Sequence, residues 1–188
     1  MAGALVRRAE DIVSEFNAQN IANTIWAFAS LNWIPSGRHR ARFEELLDSL
    51  ALRAERIAGD FNAQNLANFI WSFAQFRIAP DVELMEMMEE RALELMTSMP
   101  PSLLSNLMLS LAALGWVPRE PLLKQMVRRI NVSAESFNAQ DTANAFWAMA
   151  VYIARGYACM QMTRRLHARA HTYKRMSMHT CTQDPQDN

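Results

Sequence analysis

The sequence has few of the residues that mark several common classes of protein. Only two of its 188 residues are cysteines, too few and too far apart for a disulfide scaffold or a structural zinc site, and the pair His167 and His171 completes no zinc-ligand spacing. Five glycines form no phosphate loop, and no apolar run approaches the roughly 20 residues that cross a bilayer. No targeting peptide, nucleophile elbow or carboxylate pair is visible. We therefore expect no enzyme, no cofactor, no metal, no small-molecule substrate and no membrane partner.

Acidic and basic residues are equal in number over the whole chain, but they are distributed unevenly along it. Lys and Arg number 19, as do Asp and Glu, so the net charge gives no sign of a nucleic-acid partner. Residues 1–150 hold 13 of the basic and 17 of the acidic residues, which leaves a basic excess in residues 151–188. With 51% hydrophobic residues, the chain is apolar enough to fold as one moderate domain.

One amphipathic phrase recurs along the chain. "FNAQNIANTIWAFASLNWIP" begins at residue 16 and "FNAQNLANFIWSFAQFRIAP" at residue 61. The asparagine inside the phrase recurs as Asn23, Asn68, Asn106 and Asn144, at intervals of 45, 38 and 38 residues. A recurrence with a period of about 20–50 residues indicates a repeat architecture.

Each copy predicts a pair of helices. Asn17 is placed to cap the first copy, the same phrase opens the second and fourth copies, and a proline pair opens the third. Pro35, Pro80 and Pro118 predict that each first helix ends after about 16 residues. A second segment then shows apolar residues at three- and four-residue steps, which indicates a helix with one buried stripe. We expect an all-α fold, a right-handed α-solenoid of about four stacked hairpins of ~38 residues each.

The repeat also predicts how the chain is organised. The offset of 121 residues that carries Asn23 onto Asn144 carries Val6-Arg7-Arg8 onto Val127-Arg128-Arg129. At the other end Gly156 stands where a proline is expected, which suits a fragment, a truncated gene model or an altered capping end. The predicted segments are the second helix of a truncated preceding repeat (1–15), repeats 1 to 3 (16–60, 61–98 and 99–136), the first helix of repeat 4 (137–155) and a divergent, partly disordered basic tail (156–188).

A helical projection leaves one narrow polar strip on each first helix, beside a broad apolar arc. Stacked hairpins would align these strips into a shallow groove. Amides donate and accept hydrogen bonds, so such a groove could read one unstacked base per repeat. The predicted RNA-binding residues are Gln19, Asn20, Asn23 and Ser30 in the first copy, Gln64, Asn65, Asn68 and Gln75 in the second, Ser102 and Asn106 in the third, and Gln140, Asp141 and Asn144 in the fourth.

Two interpretations of the recurring asparagines stay open. They could contact a ligand, or they could bond to the next repeat as a ladder that holds the register. We call equivalent positions in the copies slots. Slots that hold different residues in different copies are the better candidates for base specificity, because the same residue in every copy cannot distinguish one base from another. These slots hold Asn20, Asn65, Leu103 and Asp141, and then Ser30, Gln75, Ala113 and Val151.

Phosphate contacts would need cations beside the groove. An acidic stretch in the second copy, from Asp81 to Glu94, weakens the case for RNA unless it is a solvated outer face, which we expect. Trp26, Trp71 and Trp147 could stack on bases, but their position beside alanines favours core packing. The candidate cations are Arg38, Arg40, Arg42, Arg53, Arg56, Arg77, Lys124, Arg128 and Arg129.

Over about residues 1–155, these copies resemble the octotricopeptide-repeat family and the related RAP-domain proteins, including dinoflagellate relatives of chloroplast translation factors. The matching phrases are "FNAQNIANTIWAFASL", "FNAQNLANFIWSFAQF", "MPPSLLSNLMLSLAALGWVP" and "FNAQDTANAFWAMAVY". The resemblance implies a superhelix that binds single-stranded transcripts in a plastid or mitochondrion and acts in RNA processing, stability or translation. No RAP domain is recognisable at the C-terminus. The alternative is a protein-interaction scaffold of the same fold, in which the groove accepts a peptide.

Overall fold

The structure of the chain, a computed structural model, describes residues 2–31 and 38–156. The described residues form helices and short connections with no strand, which confirms the all-α prediction. The chain divides into two compact units, Met1–Met149 and Ala150–Asn188, and in the second unit the described residues 150–156 are helical. The helices of the first unit are α1 (Ala2–Ile12), α2 (Ala18–Ser30), α3 (Arg38–Arg56), α4 (Ala63–Phe76), α5 (Val82–Leu95), α6 (Pro101–Leu114), α7 (Glu120–Ser133) and α8 (139–149).

The helices of the first unit form two layers. The first helices of the repeats pack side by side in the order α2, α4, α6. The second helices pack in the order α1, α3, α5, α7 on the other side of each hairpin. Each hairpin thus contacts the hairpins before and after it, which is the arrangement of an α-solenoid-like helical repeat.

The predicted asparagine caps explain where the first helices begin. The Asn17 side chain accepts a hydrogen bond from the Asn20 backbone N–H at 2.9 Å, and Asn62 accepts one from Asn65 at 2.8 Å. Asn138 accepts one from Asp141, also at 2.8 Å. Each bond satisfies a free amide of the first turn, and such a cap contributes about 1 kcal/mol. The third copy begins with proline instead, as predicted.

The first helices end earlier than the prolines predict. They are 13 or 14 residues long, and α4 and α6 end at residues in the left-handed conformation, Arg77 (φ 57°) and Gly115 (φ 79°). At both ends, the backbone N–H groups of this left-handed residue and of the residue after it donate hydrogen bonds to carbonyls of the last helical turn. Pro80 and Pro118 lie further along, so they keep the helix from resuming but do not end it.

A recurring arginine joins the two helices of each hairpin. Arg53 Nε donates to the carbonyl of Phe16 at 2.9 Å, Arg91 Nε to that of Phe61 at 2.8 Å, and Arg129 Nε to that of Met99 at 3.2 Å. The acceptor in each case is the residue just before the N-cap of the first helix. Arg53 and Arg129, which the sequence offered as phosphate contacts, therefore have a structural role.

Aromatic side chains fill the space between the layers. The Phe43 ring of α3 makes edge contacts with Phe28 of α2 and Phe76 of α4, each at a centroid distance of 5.4 Å. Phe43 is fully buried, which corresponds to about 2–3 kcal/mol of transfer free energy. It links one hairpin to the next because it touches the first helices of both.

Candidate nucleic-acid interface

The predicted RNA-binding residues divide into an exposed group and a buried group. Asn65, Asp141 and Asn144 are buried, Asn68 is half-buried, and the others are exposed. We call the exposed and half-buried members the amide strip: Gln19, Asn20, Asn23, Ser30, Gln64, Asn68, Gln75, Ser102, Asn106 and Gln140.

The amide strip is aligned across stacked helices. The Asn144 side chain Nδ2 donates to Asn106 Oδ1 at 3.3 Å, which joins α8 to α6 at the recurring asparagine slot. Within their own helices, Gln64 donates to Asn68 and Gln140 donates to Asn144, each at 2.8 Å. At this junction the exposed Asn106 of the strip and the buried Asn144 of the next repeat therefore lie one hydrogen bond apart.

The ladder of asparagine hydrogen bonds between repeats is present at one junction, that between α6 and α8. Asn144 bonds to Asn106, whereas among the described residues no amide bond joins Asn106 to Asn68 or Asn68 to Asn23. Asn23 and Asn106 are exposed, so each presents an amide to solvent. The recurring asparagine thus holds the register at one position and is accessible at others.

The three buried candidates are bonded inside the protein. The backbone N–H groups of Asn65 and Asp141 are bonded to the caps of their helices. The carboxylate of Asp141 also accepts a 2.8 Å bond from the buried Ser105 hydroxyl of α6. With less than a tenth of its surface exposed, each of Asn65, Asp141 and Asn144 offers a ligand little to contact. The slot predicted to carry base specificity therefore holds a structural contact in the second and fourth copies.

The middle of the predicted strip is a packing seam. Ser72 and Ser110 are buried, and each hydroxyl donates at 2.7 Å to the carbonyl four residues earlier, that of Asn68 or Asn106. Ala148, in the same slot of α8, is also buried. Small residues let neighbouring helices approach closely, so in α4, α6 and α8 this position lies between helices and not in a groove, whereas Ala27 of α2 is exposed. Of the other varying slots, Leu103 is half-buried, Ala113 is exposed and Val151 belongs to the second unit.

The prediction that the tryptophans pack in the core is wrong for two of the three. Trp26 is 45% exposed and Trp147 is 49% exposed, while Trp71 is half-buried. Each follows the recurring asparagine by three residues, so it lies on the same side of its helix as the amide strip. The strip is therefore bordered by indole rings with free surface.

The first-helix layer carries little charge in the first unit. No Lys or Arg lies within α2, α4, α6 or α8, and the exposed Arg77 comes directly after α4, two residues beyond Gln75. Of the other predicted cations, Arg40 pairs with Glu44 at 2.8 Å and Lys124 with Glu120 at 2.6 Å. The amide strip is thus a neutral surface with a cation at one edge.

The acidic stretch lies on α5 in the other layer. Glu83, Glu86, Glu90 and Glu94 are exposed, as expected of a solvated outer face, and Asp81 caps α5 by accepting a bond from the Leu84 backbone. Glu89 differs, because it is buried and accepts 2.8 Å and 2.6 Å bonds from Trp116 Nε1 and the Arg119 backbone N–H. That carboxylate holds the loop after α6 against α5.

Sequence reasoning missed Glu89 and the hairpin arginines. Nothing in the acidic stretch distinguishes Glu89 from its neighbours. The arginine slot did carry a signal, because Arg8, Arg53, Arg91 and Arg129 are separated by the same 45, 38 and 38 residues as the asparagines.

Neither a membrane-spanning helix nor a metal site occurs in the part of the chain that the structure describes. No helix there is both long and apolar enough to cross a bilayer. No three His, Cys, Asp or Glu side chains in residues 2–31 and 38–156 are grouped to hold a metal ion. The histidine pair and both cysteines lie outside the described residues, as does the predicted basic tail beyond Gly156.

An uncharged strip of amides and hydroxyls bordered by indole rings can hydrogen-bond to base edges and stack on base faces. Comparison with curated proteins finds no match to the chain. Residues 1–158 do match a protein family described as RNA-editing substrate-binding complex 6 protein. Because the match covers all of the predicted repeats, the chain belongs to the RNA-editing substrate-binding complex 6 protein family.

Proposed function

We propose that this chain binds single-stranded RNA along the first-helix layer, with the amide strip contacting base edges. The observation that carries the proposal is the 3.3 Å bond between Asn144 and Asn106, since it aligns the strips of two consecutive repeats. Exposed glutamines lie one turn nearer the start of three first helices, at Gln19, Gln64 and Gln140. Gln64 and Gln140 each use one amide N–H within their own helix, which leaves the second N–H and the amide oxygen for a ligand. Each repeat would then present one set of amides to one base.

Stacking would supply part of the affinity. Trp26 and Trp147 expose about half of their surface at the border of the strip. Base-aromatic stacking contributes about 1–3 kcal/mol per base and tolerates any base, so it complements hydrogen bonds that choose among bases. Phosphate contacts would fall mainly to Arg77, at the end of α4. With so few cations we expect affinity to depend only modestly on salt.

The family description supports an RNA-related role within an assembly, because it names an RNA-editing substrate-binding complex. We propose that this chain acts on transcripts as a binding protein and not as an enzyme. The finer proposals follow from its resemblance to octotricopeptide-repeat and RAP-domain proteins: base-by-base reading, a role in processing, stability or translation, and a location in a mitochondrion or plastid.

A protein scaffold is the second candidate function. The neutral strip and the word complex in the family description both favour it. In that case the amides would bond to the backbone of an extended peptide, and affinity would not require nucleic acid.

Fluorescence anisotropy with a labelled pool of single-stranded RNA tests the proposal. Gln19→Ala and Gln64→Ala each remove an exposed amide from the strip, and a lost base contact of ~1 kcal/mol weakens binding about fivefold. The double variant should bind about 30-fold more weakly if the two contacts are independent. Glu83→Ala with Glu90→Ala, exposed on α5 in the other layer, is the matched control and should change affinity little.

Two outcomes would count against RNA binding at the strip. One is a folded protein with no affinity for any RNA in the pool, which would leave the scaffold ahead. The other is an equal loss in the strip and control variants, which would move the contact to another surface. Circular dichroism of each variant confirms that the helices are intact.

A further inference from the structure

The recurring asparagines use their amide oxygens inside the protein. Asn68 Oδ1 accepts a 2.8 Å bond from Gln64 Nε2 within α4. Asn144 Oδ1 accepts a bond of the same length from Gln140 Nε2 within α8. Asn106 Oδ1 accepts its bond from Asn144 Nδ2 at 3.3 Å, across the junction between α6 and α8. In three consecutive repeats the same atom of the same residue is thus directed toward a protein donor.

The NH2 groups of two of these asparagines are left for a ligand. Asn106 is exposed and Asn68 is half-buried, and within residues 2–31 and 38–156 neither Nδ2 atom donates to a protein acceptor. An asparagine amide consists of one acceptor oxygen and one NH2 group, so each of the two presents donors outward once its oxygen is directed inward. Asn144 is buried and gives its NH2 group to Asn106, so it connects the two helices and contacts no ligand.

The electrostatics of the helix favour this orientation of the amides. Gln64 and Gln140 lie in the first turns of α4 and α8, where unpaired backbone N–H groups give the helix end a partial positive charge. That charge attracts the amide oxygen of the glutamine and repels its NH2 group, which is therefore directed toward the asparagine one turn later. A hydrogen bond between side chains four residues apart also stabilises the helix itself.

An outward NH2 group distinguishes bases by the substituent that they carry at one ring position. Uracil and guanine carry a keto oxygen there, which accepts a hydrogen bond, whereas cytosine and adenine carry an amino group, which donates one. An NH2 group bonds to the keto oxygen but meets a second donor in the amino group, which leaves both donors without a partner. Because the same residue recurs, the preference is for a class of base and not for an order of bases.

We propose that the first-helix layer selects RNA rich in the keto bases, uracil and guanine, through the outward NH2 groups of Asn68 and Asn106. The selection rests on the proposed function and makes these two asparagines the specificity-determining residues of the amide strip. Gln64 and Asn144 are positioning residues, since each donates the bond that fixes an asparagine oxygen. Contacts of the NH2 groups with phosphate oxygens, which all four nucleotides share, would give no such selection.

Oligouridine and oligocytidine of equal length test the selection. They carry the same phosphates and riboses, and they differ at the base, where an amino group of cytosine replaces a keto oxygen of uracil. One lost contact of this kind weakens binding about fivefold, so two contacts should give the parent chain a preference of about 30-fold for oligouridine. Fluorescence anisotropy of the full chain with each labelled oligonucleotide measures the ratio of the two affinities.

Asparagine-to-aspartate substitutions invert the outward group and keep the inward bond. In Asn106→Asp one carboxylate oxygen can still accept from Asn144 Nδ2, and in Asn68→Asp one can still accept from Gln64 Nε2. The other oxygen replaces the NH2 group and accepts from the amino group of cytosine. The double variant should therefore lose the preference for oligouridine and favour oligocytidine. The added charge repels the phosphates of both oligonucleotides equally, so it cancels in the ratio of the affinities.

Asn131→Asp is the matched control for the single variants, because it adds the same charge at an exposed asparagine of α7, in the other layer. It should leave the ratio of the two affinities at the value of the parent chain. Equal affinity of the parent chain for both oligonucleotides, or an unchanged ratio in the double variant, would overturn the selection of keto bases while RNA binding stands. A parent chain that binds neither oligonucleotide nor the RNA pool would overturn the proposed function as well.

Discussion

Arg77 and Gly115 form a matched pair for testing how the first helices end. They occupy the same slot, 38 residues apart, and both adopt the left-handed conformation. Their backbone N–H groups donate to equivalent carbonyls, Ala74 for Arg77 at 3.1 Å and Ala112 for Gly115 at 3.0 Å. The two sites share these helix-ending hydrogen bonds and differ in the residue, so exchanging the residues tests the cost of a side chain at positive φ.

The expected change follows from two opposing terms. Placing a residue with a Cβ in the left-handed region costs about 1–2 kcal/mol, which glycine avoids. Glycine loses about 0.5–1 kcal/mol more through the conformational freedom of the unfolded chain. Arg77→Gly should therefore stabilise the protein by about 0.5–1 kcal/mol, which is about 1–4 °C in Tm for a chain of this size. Gly115→Arg should destabilise it by a similar amount.

Urea unfolding of both variants measures these changes, and RNA binding separates stability from function. Because Arg77 is the cation nearest the end of the strip on α4, Arg77→Gly should bind RNA more weakly while being more stable. Its salt dependence should fall by about 0.7 in the slope of log K against log salt, the value for one phosphate contact on a single strand. A loss of stability in Arg77→Gly would refute the strain argument, and unchanged affinity would remove Arg77 from the interface.

Two further predictions concern carboxylates. Glu89→Ala should lower the free energy of unfolding by about 3 kcal/mol in urea titrations, because it leaves two part-buried N–H donors unpaired. The exposed Glu90→Ala should change it by less than about 0.5 kcal/mol, and equal effects would contradict the structural role of Glu89. Partial burial raises the pKa of Glu55, and the nearby Asp81 raises it further. The folded state therefore binds the Glu55 proton more tightly than the unfolded state does. The stability that this proton contributes is lost as pH rises through the folded-state pKa. Glu55→Gln should therefore raise Tm at pH 7 but not at pH 3, and a benefit that persists at pH 3 would contradict this cause.

Local features of the fold could be read from the sequence because they depend on neighbouring residues. The caps at Asn17, Asn62 and Asn138 need only the first turn of a helix, and the apolar steps of three and four residues need only one buried face. The exact ends of the first helices could not be predicted, because the sequence shows the prolines but does not show that Arg77 adopts the left-handed conformation. Nothing in residue type alone shows that an arginine adopts that conformation.

The candidate site was predicted in outline but not residue by residue. A helical projection places Asp141 on the polar strip, yet its burial depends on Ser105, which lies 36 residues earlier in the chain. The same projection places Trp26 beside alanines, but its exposure depends on which helix packs against that side. Burial at the edges of a helix is decided by neighbouring repeats, so the spacing within one repeat cannot determine it.

Ultraviolet crosslinking of the folded full chain to single-stranded RNA, with the crosslinked peptides identified by mass spectrometry, tests directly which layer of helices binds RNA. If RNA lies on the first-helix layer, we expect crosslinks in α2, α4 and α6, at or beside Trp26, Gln64 and Asn106. Crosslinks confined to α3, α5 and α7 would show that RNA lies on the other layer and would contradict the proposed interface.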